Sequence, residues 1–134
     1  MKNSVEFHHV GVISSNLEAT LSFYFSIGYQ QVGYIYEDLI QKSQIAILEM
    51  DSGPLVEVIV PQTDSPAFDW INRIKAGAYH TCYKCSDIRK SIEYFENLGL
   101  TQISEVEQAI AFQGNKIVFL WSAHTGLIEL LELS

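Results

Sequence analysis

The hydrophobic pattern of the first half of the chain predicts one strand, one helix and then three strands. An apolar run at 7–13 is typical of a buried strand, and apolar residues at helical spacing follow it as far as Gly28. Ser15 and Glu18 have the spacing of a capping box, which indicates the start of this helix. Three further strand-like runs lie at 29–37, 43–50 and 55–60. The first half therefore predicts a βαβββ module.

The second half repeats this order of elements. The segment that begins at Tyr79 aligns with the segment that begins at His8, so that Asn16 falls on Asp87. Self-similarity at a fixed offset is the signature of a repeated structural unit, and we interpret the chain as two copies of one module. The repeated elements are strand-like runs at 79–85, 100–106, 116–121 and 127–133 and a helix at 87–98.

A third helix is predicted between the two modules. Ser65 followed by Pro66 is typical of a helix start, and residues 67–76 have helical periodicity before Gly77. Because no flexible linker separates the halves, we interpret residues 1–134 as a single domain of the α+β class. Module 1 spans about 5–62, the connecting helix about 65–76 and module 2 about 78–133.

One segment, 107–115, has no clear counterpart in the first half. It fits an additional hairpin closed by Gly114 and Asn115, or a loop whose apolar residues cover a cavity. The sequence leaves both interpretations open.

Composition and charge limit the classes of partner. A chain of 134 residues with 48% hydrophobic content can bury its own core without a disulfide or a structural metal. Eight Lys and Arg against 16 Asp and Glu give a net charge of −8, which repels phosphate backbones. Nucleic acid and membranes are therefore not expected partners. We find neither a signal-peptide pattern nor an apolar run approaching the ~20 residues of a membrane span, and we expect a cytoplasmic location.

The two cysteines form a Cys-x-x-Cys pattern at Cys82 and Cys85. The surrounding residues predict a strand, on which side chains three positions apart point to opposite faces. Two thiols in that arrangement cannot bind one metal ion together. We therefore predict that both are small core residues.

Four side chains of residue types that bind metals occupy equivalent positions in the two modules. His9 and His80 lie in the first strand of each module, and Glu57 and Glu129 lie in the last. Each alone has an ordinary explanation, such as a hydrogen-bonded core histidine or a surface glutamate. The strands that contain the glutamates are apolar on both faces, however, which indicates buried acids that need partners. Two imidazoles and two carboxylates neutralise one divalent cation, so we predict that these four residues are its ligands.

Several motifs resemble those of the vicinal oxygen chelate superfamily, most of all its glyoxalase I and methylmalonyl-CoA epimerase branch. They are His-Val-Gly-Val at 9–12, Val-Glu-Val-Ile-Val-Pro at 56–61, Tyr-His-Thr-Cys-Tyr at 79–83, Gly-Asn-Lys-Ile-Val-Phe-Leu at 114–120 and Gly-Leu-Ile-Glu-Leu-Leu at 126–131. The resemblance implies two tandem βαβββ modules that form a cupped mixed sheet around a metal site. It also implies one divalent ion (Ni, Co, Zn or Mn) held by His9, Glu57, His80 and Glu129, and a homodimer.

The activity implied by the resemblance is proton transfer next to a carbonyl, catalysed by a metal-dependent lyase or isomerase. Our main interpretation is a glyoxalase I-like lyase (lactoylglutathione lyase) that acts on the thiol adduct of a 2-oxoaldehyde. The alternatives are a methylmalonyl-CoA epimerase-like isomerase of an acyl thioester, and a non-catalytic small-molecule binding or resistance protein of the same fold. Glu129, paired with Glu57, is predicted to serve as both ligand and base.

The resemblance to the epimerases also implies a further interior carboxylate as the second acid/base. In this chain Ala46 falls near that position, and the nearest polar candidates are Gln44 and Glu49. His124 is interpreted as an exposed loop residue. His8 is not counted as a ligand, because neighbours on a strand point to opposite faces.

Overall fold

A computed structural model describes residues 5–133, and this part of the chain has a mixed α+β fold with nine strands and three α-helices. The elements are β1 (Glu6–Ile13), α1 (Leu17–Ser26), β2 (Gln30–Asp38), β3 (Ser43–Glu49), β4 (Leu55–Pro61), α2 (Phe68–Ile74), β5 (Gly77–Cys85), α3 (Ile88–Asn97), β6 (Thr101–Gln102), β7 (Glu107–Ala109), β8 (Asn115–Ser122) and β9 (Gly126–Glu132). The α+β class predicted from the sequence is confirmed. No helix among the described residues is long and apolar enough to cross a membrane.

The chain divides into two units with the same internal topology. Within the described residues, the first unit is His9–Tyr79, and the second comprises residues 5–8 together with residues 80–133. In the first unit the strand order is β2-β3-β4-β1, and β1 is parallel to β4. In the second unit the order is β6-β8-β9-β5, and β5 is parallel to β9. Each unit therefore contains the βαβββ arrangement that the repeat predicts.

Both helices of the repeat begin at equivalent side-chain caps. Asn16 Oδ1 accepts a hydrogen bond from the Ala19 N–H at 3.0 Å, and Asp87 Oδ1 accepts one from the Lys90 N–H at 3.1 Å. These bonds satisfy amides that the first helical turn leaves without partners. The capping box predicted at Ser15 is wrong, because extended backbone at Asn16 makes that residue the N-cap of α1.

In the first unit, α1 covers one face of the sheet. Leu21 of α1 packs there against Val12, Ala46 and Val58, all of which are buried. Side chains that alternate with these residues along the strands point to the opposite face of the sheet. His9 and Glu57 are among them.

In the second unit, the two faces of the sheet carry separate clusters. Ile88 and Ile92 of α3 pack with Cys85 on one face, whereas Cys82 packs with Ala109, Ile117 and Leu131 on the other. The two cysteines thus lie on opposite faces of β5, as the strand pattern predicts. Both are buried.

Two predicted elements are shorter in the structure. The strand expected at 100–106 is reduced to β6, because the Ser104 hydroxyl accepts the Phe119 N–H at 2.8 Å in place of a backbone carbonyl. The connecting helix expected at 67–76 is limited to α2, where Lys75 ends it with a positive φ of 68°. Secondary-structure propensity alone does not reveal where this strand or this helix ends.

The segment 107–115 forms a hairpin with the strand that follows it. β7 pairs antiparallel with β8, and the Gly114 N–H donates to the Ala109 carbonyl at 2.9 Å. Gly114 has a φ of 79°, a conformation that glycine adopts without a steric penalty. The hairpin interpretation is confirmed, with a short 3₁₀ turn at Ile110–Phe112 in its connection.

Candidate functional site

The first unit buries a histidine–glutamate pair. His9 on β1 is 0% exposed and Glu57 on β4 is 4% exposed, and 3.0 Å separates His9 Nε2 from Glu57 Oε1. The two strands are parallel neighbours in which Gly11 lies opposite Glu57. Because side chains two residues apart on a strand share a face, His9 and Glu57 point to the same side of the sheet. Strand pairing thus brings together two residues that are far apart in sequence.

The second unit contains an equivalent pair. His80 on β5 and Glu129 on β9 are buried, with 3.1 Å between His80 Nε2 and Glu129 Oε1. Cys82 lies opposite Glu129 in this parallel pairing, as Gly11 lies opposite Glu57 in the first unit. The ring of Phe119 meets the His80 imidazole edge-on, with 5.4 Å between the ring centroids. The predicted histidine and glutamate of each module are therefore in contact within each unit.

The chemistry of these donors fits a divalent cation. Each pair offers an imidazole nitrogen and a carboxylate oxygen, which are atoms that could hold a metal ion. A buried carboxylate is costly unless a cation or hydrogen-bond donor balances its charge. Imidazole and carboxylate together suit Zn, Mn, Co and Ni, which are borderline or hard ions. Each pair is thus chemically suited to bind a metal ion.

Asp38 is a buried acid that the sequence analysis missed. It is 3% exposed at the end of β2, and its Oδ1 accepts the N–H groups of Ile40 and Gln41 at 3.0 and 2.8 Å. Among the described residues its Oδ2 has no hydrogen-bond partner. Burial raises the pKa of Asp38, the two amide bonds lower it in part, and the nearby charge of Glu57 raises it further.

The sequence signal for Asp38 is ambiguous. An aspartate that follows Glu37 at the end of a strand predicts a solvent-exposed turn. The turn is present, since Asp38 Oδ1 holds its backbone, but the carboxyl group is buried beneath it. Only the structure reveals that one of its carboxyl oxygens lacks a hydrogen-bond partner among the described residues.

The polar candidates that the sequence offered for an interior acid do not fit. Gln44 donates to Glu37 Oε1 at 2.9 Å, and alternation along β3 puts its side chain on the face opposite to Glu57. Glu49 is exposed, and Ala46 is buried in the cluster beneath α1. His124 lies exposed in the turn between β8 and β9, as the sequence predicts.

Comparisons with known proteins settle the family. A family model described as the glyoxalase/bleomycin resistance protein/dioxygenase superfamily matches residues 8–119. The chain belongs to this superfamily. The resemblance noted in the sequence motifs is therefore confirmed at the level of the superfamily. A comparison with curated protein sequences found no match.

Solved structures agree with this superfamily fold. A methylmalonyl-CoA epimerase from Mycobacterium tuberculosis has a TM-score of 0.84 at 19% identity, with 100% of this chain and 92% of that chain covered. A hypothetical protein from Bacillus halodurans has a TM-score of 0.82 at 24% identity, with coverages of 98% and 96%. A variant of the Streptomyces coelicolor methylmalonyl-CoA epimerase in complex with 2-nitronate-propionyl-CoA has a TM-score of 0.81 at 20% identity, with both coverages 96%. At these identities the likeness establishes the fold.

Proposed function

We propose that this member of the superfamily is a metal-dependent isomerase that moves a proton on the carbon next to a thioester carbonyl. The observation that carries the proposal is the buried histidine–glutamate pair, which occurs once in each unit with Nε2–Oε1 distances of 3.0 and 3.1 Å. The likeness to methylmalonyl-CoA epimerases favours this reaction over the glyoxalase I-like lyase that was our main interpretation of the sequence. The substrate class is a branched malonyl-type coenzyme A thioester.

The proposed ligands of one divalent ion are His9, Glu57, His80 and Glu129. Support comes from charge and burial, since two buried carboxylates need a balancing cation and two neutral imidazoles complete a neutral site with a 2+ ion. Nickel, cobalt, zinc and manganese all accept this mixture of nitrogen and oxygen donors. When bound, such an ion supplies Lewis acidity that makes the proton next to a carbonyl easier to remove.

Glu129 is the proposed base, with Glu57 as its partner. A carboxylate next to the reacting carbon takes the α-proton, the electron pair of the C–H bond forms the carbon–carbon double bond of an enolate, and the π electrons of the carbonyl move onto its oxygen. Glu129 is 1% exposed, so bulk water is kept away from its carboxylate. Return of a proton to the same carbon restores the carbonyl and completes the isomerisation.

A second candidate is the glyoxalase I-like lyase, which we predicted from the sequence. The chain has only eight Lys and Arg against 16 Asp and Glu, a balance that disfavours the polyphosphate tail of coenzyme A. The thiol adduct of a 2-oxoaldehyde does not present that tail. The same proton-transfer chemistry serves both substrates, so the choice depends on a substrate test.

The test combines metal analysis with hydrogen–deuterium exchange. Protein purified without chelator is expected to hold about one divalent ion per chain and to exchange the α-proton of methylmalonyl-CoA with solvent. His80→Ala should lose the metal, and Glu129→Gln should lose exchange while remaining folded. Glu105→Gln, on an exposed side chain, is the matched control and should behave like wild type.

Each contrary outcome has a definite meaning. Exchange of a 2-oxoaldehyde thiol adduct, without exchange of the thioester, supports the lyase. Failure to bind Ni, Co, Zn or Mn after reconstitution contradicts the metal site and favours a non-catalytic binding protein. Retention of α-proton exchange in Glu129→Gln contradicts the role of Glu129 as the base.

A further inference from the structure

His8 and Cys82 lie close together on one face of the second unit. Each offers one metal-binding atom, a ring nitrogen of His8 and the Sγ of Cys82, and these two atoms lie within 4.8 Å of each other. The His8 ring meets the ring of Phe112 edge-on, with 5.4 Å between the ring centroids. Phe112 in turn packs against the buried cluster that contains Cys82. The distance and the ring contact both put the imidazole on the same face as the thiol.

The second cysteine of the chain has different surroundings. Cys85 lies on the opposite face of β5, where it packs with Ile88 and Ile92 of α3. No group of three or more metal-binding side chains among residues 5–133 includes Cys85. The two thiols are equally part of the core, but His8 accompanies Cys82 alone. The chain therefore contains its own comparison for any role of the Cys82 thiol.

The separation of the two atoms suits a single metal ion. A zinc-sized ion forms bonds of ~2.3 Å to sulfur and ~2.0 Å to imidazole nitrogen, so it holds the two atoms at most ~4.3 Å apart. The observed limit of 4.8 Å is therefore met after a side-chain adjustment of at most about half an ångström. No movement of the backbone is needed for both atoms to bind one ion.

The pairing of sulfur with nitrogen selects a different ion from the histidine–glutamate pairs. Thiolate is a soft ligand that favours Cu⁺ and Zn²⁺, whereas carboxylate favours harder ions. Cu⁺ also forms stable complexes with only two ligands, so one thiolate and one imidazole are sufficient for it. Zn²⁺ prefers four ligands, which this pair does not supply. The donor set of His8 and Cys82 consequently fits Cu⁺ best.

We propose that His8 and Cys82 form a second metal site, which binds one Cu⁺ ion through two ligands. On binding, the Cys82 thiol gives its proton to solvent, and the thiolate sulfur and the His8 ring nitrogen each donate an electron pair to the ion. The copper stays Cu⁺ and the sulfur is not oxidised. Cys82 is 0% exposed and His8 is half-buried, so the ion reaches the sulfur from the side of the imidazole. The site does not depend on the isomerase function proposed above.

Anaerobic titration with Cu⁺ tests the site. The full chain, purified without chelator, is mixed with the Cu⁺ complex of a coloured chelator, and transfer of the ion is measured from the absorbance of the chelator. Wild type should take up about one Cu⁺ per chain and gain an ultraviolet sulfur-to-copper charge-transfer band. Cys82→Ala and His8→Ala should each bind Cu⁺ at least ~100-fold more weakly, since even the hydrogen-bond partners of metal ligands contribute 10–100-fold.

Three further variants complete the test. Cys85→Ala removes the equally buried thiol on the opposite face and should keep the affinity of wild type for Cu⁺. His124→Ala removes an exposed imidazole and should do the same. His80→Ala should lose the divalent ion of the proposed function and still bind Cu⁺. If Cys82→Ala does not fold, His8→Ala carries the test, because its half-buried side chain is less important for the core.

The contrary results are distinguishable. Failure of wild type to take up Cu⁺, or an affinity within about threefold of wild type in His8→Ala or Cys82→Ala, overturns the site. Loss of Cu⁺ binding in Cys85→Ala also overturns it, because the ion would then bind thiols exposed by unfolding. Loss in His80→Ala overturns it by assigning Cu⁺ to the histidine–glutamate pair. Failure to bind a divalent ion, with Cu⁺ binding intact, overturns the proposed function and supports this second site.

Discussion

The contact between His9 and Glu57 predicts a large coupling energy in the metal-free protein. The atoms are 3.0 Å apart and the residues are 0% and 4% exposed, so solvent screens the pair very little. At an effective dielectric constant of about 20, two unit charges at this distance attract by about 5 kcal/mol, which is an upper limit because both groups lose hydration on burial. Removing one partner from such a pair destabilises a protein by about 3–5 kcal/mol.

A double-mutant cycle measures this coupling. We expect His9→Ala to lower the free energy of unfolding by about 3 kcal/mol or more, because it leaves the Glu57 carboxylate buried without its imidazole. Glu57→Ala should cost less than this, since a buried histidine can remain neutral. The double variant should cost clearly less than the two single variants combined. The assay is urea-induced unfolding at neutral pH after treatment with a chelator.

Additivity would refute the reasoning. If the double variant loses as much stability as the two single variants together, the two groups do not stabilise each other. A loss below about 1 kcal/mol in His9→Ala would likewise mean that Glu57 is not held as a buried charge. The exposed pair of Lys42 and Asp64, with 3.1 Å between Nζ and Oδ2, is the matched control and should give a coupling of at most about 1 kcal/mol.

Three further predictions follow from the same structure. A divalent ion at about 100 times its dissociation constant should stabilise the wild-type protein by about 2.7 kcal/mol, seen as a rise in the unfolding temperature that His80→Ala abolishes. Burial raises the pKa of Asp38 above its ordinary value of 3.8. The bound proton therefore stabilises the folded protein fully below the unfolded-state pKa, and this stabilisation is lost as the pH rises through the folded-state pKa. Denaturant unfolding over a pH series should therefore find wild type losing stability relative to Asp38→Asn as the pH rises, and a parallel pH dependence would contradict this. Asp87→Ala should destabilise the protein by about 1 kcal/mol in urea unfolding, because the Lys90 N–H at the start of α3 loses its cap, whereas Asp51→Ala should have little effect.

The repeat made much of the fold predictable. Aligning Asn16 with Asp87 identified equivalent helix starts, and both residues are N-caps in the structure. The histidine–glutamate contacts followed from the same alignment, since equivalent strand positions in a repeated module must have equivalent neighbours. Periodicity and duplication are properties of the sequence itself, which is why these features could be found without coordinates.

The errors arose where a side chain competes with the backbone. The Ser104 hydroxyl takes the Phe119 N–H and ends a strand that hydrophobicity alone would extend. Asp38 forms a turn, as its position suggests, but its burial depends on strands that are distant in sequence. Whether Asn16 or Ser15 caps α1 depends on the backbone conformation of a single residue. Such choices involve about 1 kcal/mol each, too little for a pattern of residue types to resolve.

The opposite orientation of the two cysteines on β5 has a consequence for oxidation. Cys82 and Cys85 are both buried, and they pack in clusters on different faces of the second unit. Thiols three residues apart on an extended strand lie too far from each other for an S–S bond of about 2.05 Å without unfolding of that strand. Burial also raises the pKa of Cys85, which suppresses the reactive thiolate. Native protein should accordingly resist both internal disulfide formation and alkylation, and these reactions report instead on loss of the folded state.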